Sequence, residues 1–193
     1  MFPFNPKGQF IKTDSGVLCD RGFIAHLNVR AADAVAASDT GVHAAIPLTE
    51  EEQDIITAIT NPAVPRALRI KGNQAGVAGN VVITGTNYAG EIITETIVAN
   101  GATAVEGDKA FKTVTKITVP VLVGAGDSLS IGWNDKLGLP FKLVHNTVLF
   151  AYHDNAKEAT APTVTVSATA IESNTIDLNT ALNGKAVDAY LIV

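Results

Sequence analysis

Between Asn61 and Pro120, apolar and polar positions alternate in short runs rich in Thr, Val and Ile, and Pro, Gly or Asn interrupts them every eight to twelve residues. β-Branched side chains crowd Cβ and suit a pleated surface better than a helix, so the runs predict strands. Four fall in this stretch: Ala67 to Lys71, Asn80 to Asn87, Glu91 to Ala99 and Val114 to Val119. Tyr88-Ala89-Gly90 is a short Gly-containing connection and predicts a hairpin between the second and third. In the third run Glu91, Ile93, Glu95 and Ile97 alternate with Ile92, Thr94, Thr96 and Val98. Neither set is purely apolar, which predicts one face in the core and the other partly covered.

Further strands are predicted at Ser128 to Trp133, Asn146 to Tyr152, Thr163 to Ala168 and Lys185 to Val193. The last is apolar at nearly every position, with Val187, Leu191 and Val193 on one face and Tyr190 and Ile192 on the other. Burial on both sides follows, at the centre of a sheet or at a subunit contact. Asn100-Gly101 and Asn183-Gly184 predict type I′ turns, whose two central residues need positive φ. Strands at this spacing predict an all-β fold, an antiparallel β-sandwich or barrel-like domain.

The first forty-six residues read differently. Pro3, Pro6, Gly8 and Gly16 disfavour regular structure and predict an extended amino-terminal arm. The apolar run Gly22 to Val29 and the Ala-rich stretch Ala31 to Ala37 follow. The chain thus divides into 1–46, an arm with the first strands, and 47–193, a β-rich domain. Phe2, Phe4 and Phe10 on the arm need a surface to cover them and, with Tyr190, are candidate partner contacts. Thr49 and Glu52 fit a capping box, Ile55, Ile56 and Ile59 an apolar stripe, and Glu50 to Glu52 the positive end of a helix dipole. One short helix ending before Asn61-Pro62 is therefore predicted, against a competing strand through Ile55 to Thr60.

Composition sharpens the picture. The 193 residues include twenty Thr, twenty Val and sixteen Ile against one Met and one Trp, which reinforces the β reading. Charged residues make up 17%, below the roughly 25% typical of soluble domains, and mean hydropathy is +0.23. Buried interfaces are depleted in charge, so a homo-oligomer with extensive subunit contacts is expected, against an ordinary sandwich with a Thr-rich surface. Net charge is −5 and the fourteen basic residues form no stripe, which argues against a nucleic-acid partner. Cys19 is the single cysteine and has no intrachain disulfide partner. Neither a signal peptide nor a membrane span is expected from the apolar runs.

Residues able to carry catalysis or bind a ligand are scattered along the chain. His26, His43, His145 and His153 occur singly, and His145 and His153, on one face of a predicted strand, would lie roughly 26 Å apart. No Gly-x-Ser-x-Gly elbow occurs. The glycine-rich stretch Gly72 to Gly79 matches no dinucleotide or Walker spacing and leads into a strand, so it reads as a flexible loop. Asp127, Asp135 and Asp154 flank turns with nothing to tie them into one site. No catalytic, cofactor-binding or metal-ligating residue is assigned, and a Lys–Asn isopeptide crosslink is left without support.

The segments Thr60 to Arg66, Ile70 to Asn73, Val82 to Asn87, Gly90 to Thr96, Lys109 to Val114 and Leu182 to Tyr190 carry a resemblance. Over about two thirds of the chain they resemble a theme of tailed-bacteriophage and prophage virion proteins. The resemblance implies a β-rich accessory component of the particle without enzymatic residues, bound to the major capsid protein or other virion proteins, and the lone Cys19 suits assembly in a reducing host cytoplasm. A head-decoration, or capsid cement, protein is the leading expectation, because many weak contacts repeated by symmetry add to high avidity. The alternatives are a neck, collar or tail component, a carbohydrate-binding or adhesin module stacking sugars on Trp133, Tyr88 and Tyr152, and a hydrolase with a non-locally assembled site.

Overall fold

The computed structural model describes residues 10–20 and 23–193, with residues 10–12 and 18–20 described by their backbone alone. The strands in chain order are β1 (Phe10–Lys12), β2 (Leu18–Asp20), β3 (Ile24–Val29), β4 (Ser38–Pro47), β5 (Gln53–Ile55), β6 (Arg66–Gly72), β7 (Ala78–Thr86) and β8 (Ile92–Asn100). They continue as β9 (Val105–Phe111), β10 (Thr113–Val119), β11 (Ser128–Gly138), β12 (Val148–His153), β13 (Ala156–Lys157), β14 (Thr163–Thr165), β15 (Thr175–Asp177) and β16 (Val187–Ile192). The fold is all-β, and every pairing between named strands is antiparallel. Among the described residues four sheets form: β1-β2; β5-β10-β7-β8; β14-β15-β11-β6-β9 with β4 also on β11; and β13-β12-β16-β3.

Two apolar cores organise these sheets. The first joins Leu68 and Ile70 of β6, Phe111 of β9, and Leu129 and Ile131 of β11 to Val81, Ile83, Ile97, Val114 and Ile117 of the second sheet. The second collects Leu27, Val29, Ala151, Val187, Ala189 and Leu191 of the fourth sheet with Leu137, Leu139, Leu143 and Ile176. Each fully buried Leu, Ile or Val contributes about 1.5–3 kcal/mol. β11 serves both cores, Leu129 and Ile131 in the first and Leu137 in the second. Between them its register against β6 slips: Trp133 faces Leu68, yet Leu137 faces Arg66.

Arg66 holds that irregularity. Its guanidinium is 1% exposed, and Nη1 donates to the Val35 carbonyl at 2.7 Å. Nε donates to the Asn134 carbonyl at 2.9 Å, Nη2 donates to the same oxygen, and Nη2 pairs with Asp135 Oδ1 at 3.2 Å. The bulged carbonyl that no neighbouring strand serves is thus satisfied by a side chain, as a buried backbone group requires. Desolvation pushes the guanidinium pKa down to about 10, against the opposing pull of Asp135, so the side chain stays charged at neutral pH.

A carboxylate closes the corner between the second and third sheets. Glu95 Oε1 on β8 accepts the N–H groups of Asp108 and Lys109 on β9 at 2.6 and 3.1 Å, while Lys109 Nζ donates to the Thr94 carbonyl at 2.7 Å. Oε2 is buried without a partner. A Cβ on Gly107 would stand 2.5 Å from it, so a side chain there would displace the Glu95 carboxylate from its two N–H donors. Burial raises the Glu95 pKa, and the two backbone N–H groups only partly offset that.

Most predicted strands lie where the alternation put them, including the Tyr88-Ala89-Gly90 hairpin between β7 and β8. β16 sits between β12 and β3, central in its sheet as expected, but burial on both faces is not met: Val187, Ala189 and Leu191 enter the second core while Asp188 and Tyr190 opposite them are half-buried. The short helix is absent. Gln53, Asp54 and Ile55 pair with Val119, Thr118 and Ile117 of β10, Thr49 Oγ1 donates to the Glu51 carbonyl, and Ala58 turns left-handed at φ 56°. Asp54 accepts from the Thr118 hydroxyl at 2.6 Å and pairs with Lys116 at 3.2 Å, so sheet partners outweighed the local helix signal. Among the described residues the one helical segment is the 3-10 turn Ile171–Ser173.

The type I′ turns lie elsewhere than expected. At Asn100-Gly101 and Asn183-Gly184 only the glycines have positive φ, 57° and 82°. With Thr103 N–H donating to the Asn100 carbonyl, the first has the single positive φ at i+1 of a type II′ turn. Asp154 and Asn155, at φ 50° and 62°, are the consecutive pair with positive φ, and they make the two-residue connection across the His153–Ala156 pair of β12 and β13. Asp and Asn tolerate this region because their short side chains bond their own backbone.

Arg66→Ala strips two carbonyls and a carboxylate of their donor in a dry site. It is expected to lower stability by about 3–5 kcal/mol, roughly 10 °C in Tm for a chain of this size, read by thermal denaturation. Glu95 carries the opposite sign. Its folded pKa lies above the unfolded value, so the folded state binds more protons between the two, and stability falls as pH rises through that window. Glu95→Gln is expected to raise stability at neutral pH and leave it unchanged at acid pH, in denaturant titrations across the range. Equal gain at every pH would remove the ionised carboxylate as the cause.

Candidate functional site: the aromatic face of the fourth sheet

Side chains alternate across the fourth sheet. Ala151, Val187, Ala189, Leu191, Leu27 and Val29 point into the second core. Phe150 and Tyr152 on β12, Asp188 and Tyr190 on β16, and His26 and Asn28 on β3 therefore share the outer face. Cross-strand register arranges them in two rows. Phe150, Tyr190 and His26 are opposite one another in the first; Lys157, Tyr152, Asp188 and Asn28 are opposite one another in the second.

The first row is an aromatic stack. His26 and Tyr190 are stacked, centroids 4.4 Å apart and planes 2° from parallel. Phe150 tilts against Tyr190 at 5.1 Å, and Tyr152 stands edge-on to Phe150 and Tyr190 at 5.8 and 6.4 Å. The second row carries charge. Asp188 Oδ1 accepts from His26 Nε2 at 2.6 Å and Asn28 Nδ2 at 2.8 Å. The Asn28 bond, then the His26 bond and its charge, hold the Asp188 pKa below the usual carboxylate value. Lys157 Nζ sits 5.9 Å from the Phe150 ring centre. Tyr152, Asn155, Asp188 and Tyr190 line an open pocket of about 200 Å³. Such an arrangement can grip a ligand by ring contact and hydrogen bonds, and it contains no nucleophile paired with a base.

A second exposed surface lies on β8. Its outward positions are Ile92, Thr94, Thr96 and Val98, with Ile92 81% and Val98 60% exposed. No charge interrupts this strip. Phe23 at 83% and Ile24 at 64% are exposed where β3 begins, beside Val193.

Of the candidate contact residues, Tyr190 lies at the centre of the aromatic face. Phe2 and Phe4 lie outside the described residues, as does the side chain of Phe10. The suggested sugar-stacking trio is not assembled. Tyr88 is in the β7–β8 turn, Trp133 on β11 donates Nε1–H to the Ala36 carbonyl and packs against Gly41, and Tyr152 alone is on the aromatic face. His145 precedes β12 and is exposed, whereas His153 closes that strand and is buried, so the two do not share a strand face. Asp127, Asp135 and Asp154 serve separate structural roles: Asp127 caps the Val123 and Gly124 N–H groups, Asp135 pairs with Arg66, and Asp154 with Lys185. The glycine-rich loop joins β6 to β7 as predicted, but Asn73 bonds Gly126 and Ser128 and pins it to the loop before β11. Among the described residues no cluster of three or more His, Cys, Asp or Glu is placed to hold a metal ion.

Sequence reasoning missed His26, Phe150, Asp188 and Asn155. The pairs Phe150-x-Tyr152, Asp188-x-Tyr190 and His26-x-Asn28 each mark one face of a strand, which was a usable signal. That the three strands are neighbours was not readable. No protein-family model, no curated protein and no solved structure matches this chain.

Tyr190→Ala removes both ring contacts of the first row, each worth about 0.5–1.5 kcal/mol beyond area. The variant is expected to lose about 2 kcal/mol in chemical denaturation, and the His26 ring protons to move downfield in NMR spectra once the stacked ring is gone.

Proposed function

We propose that this protein is a structural component of a tailed-bacteriophage virion, acting as a head-decoration protein that binds and stabilises the shell as a homo-oligomer. The residue resemblance motivates the class. The observation that supports a binding role is the uncharged outward strip of β8, with Ile92 and Val98 standing in solvent. Ile92 and Val98 stand at the two ends of the strip with Thr94 and Thr96 between them, on an edge strand, so each strip offers a modest contact, and a repeating shell multiplies it. The all-β scaffold of antiparallel sheets is a firm base for such a contact.

Particles lacking the protein are expected to release genome at lower temperature and after milder osmotic shock than complete particles, since many small contacts raise the barrier to capsomer separation. The double variant Ile92→Lys/Val98→Lys is expected to keep its melting curve while its occupancy on particles falls. Equal survival of particles with and without the protein would overturn the cement role, and imaging of density at the neck, collar or tail would relocate it within the virion.

A further inference from the structure

We infer that the pocket on the outer face of the fourth sheet is a carbohydrate subsite that takes one pyranose unit of a glycan. Its lining combines the two things a sugar ring needs. Tyr152 supplies an aromatic ring: it lines the pocket, is half-buried, and stands at 84° to the rings of Phe150 and Tyr190, with neither stacked on it. The axial C–H bonds of a pyranose carry partial positive charge and suit the negative face of such a ring. Asp188 supplies the polar anchor. Both of its protein hydrogen bonds fall on Oδ1, so Oδ2 has no bond among the described residues and is free to accept from a hydroxyl in a charge-assisted bond. Asn155 adds an amide that can both donate and accept, held at the rim by the two-residue turn whose φ values are 50° and 62°.

Two other ligand classes fit less well. An ammonium or guanidinium group would seek the carboxylate and the ring faces. Here Lys157, opposite Tyr152 in register with its Nζ 5.9 Å from the Phe150 ring centre, already places a positive charge on this face that opposes a second one. An aliphatic side chain would meet no aliphatic wall, since Tyr152, Asn155, Asp188 and Tyr190 are the lining. The volume of about 200 Å³ and the open mouth suit a single ring of a longer chain, below the range of sites that enclose a whole small molecule.

Saturation-transfer NMR on the full chain with the methyl glycosides of glucose, galactose, mannose and N-acetylglucosamine at millimolar concentration tests the assignment. At least one is expected to receive saturation and to shift the Tyr152 and Tyr190 ring resonances. Tyr152→Ala and Asp188→Asn are each expected to weaken it by about tenfold or more, the scale of losing one hydrogen bond to a charged group. Asp188→Asn keeps an oxygen for His26 and Asn28, which guards the fold, and unchanged amide spectra confirm that. Tyr88→Ala is the control and should bind as the parent does. Absence of transfer from all four glycosides, or shifts of the pocket resonances by N-acetylarginine methylamide alone, would overturn the inference. The strip on β8 lies on another sheet, so shell occupancy and glycoside binding are separable: the Ile92→Lys/Val98→Lys variant should still bind glycoside.

Discussion

Burying a guanidinium is costly unless every donor finds an acceptor, and at Arg66 the acceptors are the main chain itself. Three of its contacts go to the carbonyls of Val35 and Asn134 and one to the carboxylate of Asp135. β11 must leave the register of β6 in order to pass from the first core to the second, and a strand that does so exposes unpaired carbonyls in a dry interior. Arg66 answers that requirement at the place where it arises. It also reaches the loop between β3 and β4 through Val35, so the segment leading from the fourth sheet into the third is tied to the same point. The ring of Trp133 lies 5.9 Å from its centre and covers it.

The same logic recurs at smaller scale. Asn174 is fully buried, accepts the N–H groups of Leu143 and Ser167 on Oδ1 and donates Nδ2–H to the carbonyls of Ser167 and Ala170. Asp127 closes the turn before β11, and Glu95 closes the corner between sheets. Polar side chains thus appear inside this protein chiefly where strands end or change register, because only there does backbone lack a ladder partner. This economy leaves the outer faces free. The outward strip of β8 and the aromatic rows of the fourth sheet carry side chains that no packing need dictates.

Strands declared themselves in the sequence where period-two alternation met a turn residue, as in β7, β8 and β10. Their type and approximate limits depend on local pattern alone. The segment from Thr49 to Ile59 misled because its capping signals are local, whereas its true partners, Ile117 to Val119, lie some sixty residues away. Asn100-Gly101 and Asn183-Gly184 misled for a related reason: the dipeptide permits a two-residue turn without requiring one. Conversely Asp154-Asn155 adopts that turn with a weaker signature because β12 and β13 pair directly across it. Of the candidate site, Tyr190 and Tyr152 were legible as aromatic residues on predicted strands. Their neighbours His26 and Asp188 were not, since nothing in the text brings positions 162 apart side by side.

That separation bears on the order in which the molecule assembles. The β7–β8 hairpin closes over a three-residue turn, and β10 joins it within the same sixty-residue stretch. β3 must wait for β16, whose pairing with it spans nearly the whole chain. Long loops close slowly, because chain entropy is spent before the contacts that compensate it form. During synthesis β3 therefore emerges early with an apolar inner face and no strand to join, and the aromatic face is among the last surfaces to exist. A ribosome-bound chain can hold a finished first core while everything that the fourth sheet recognises is still unformed.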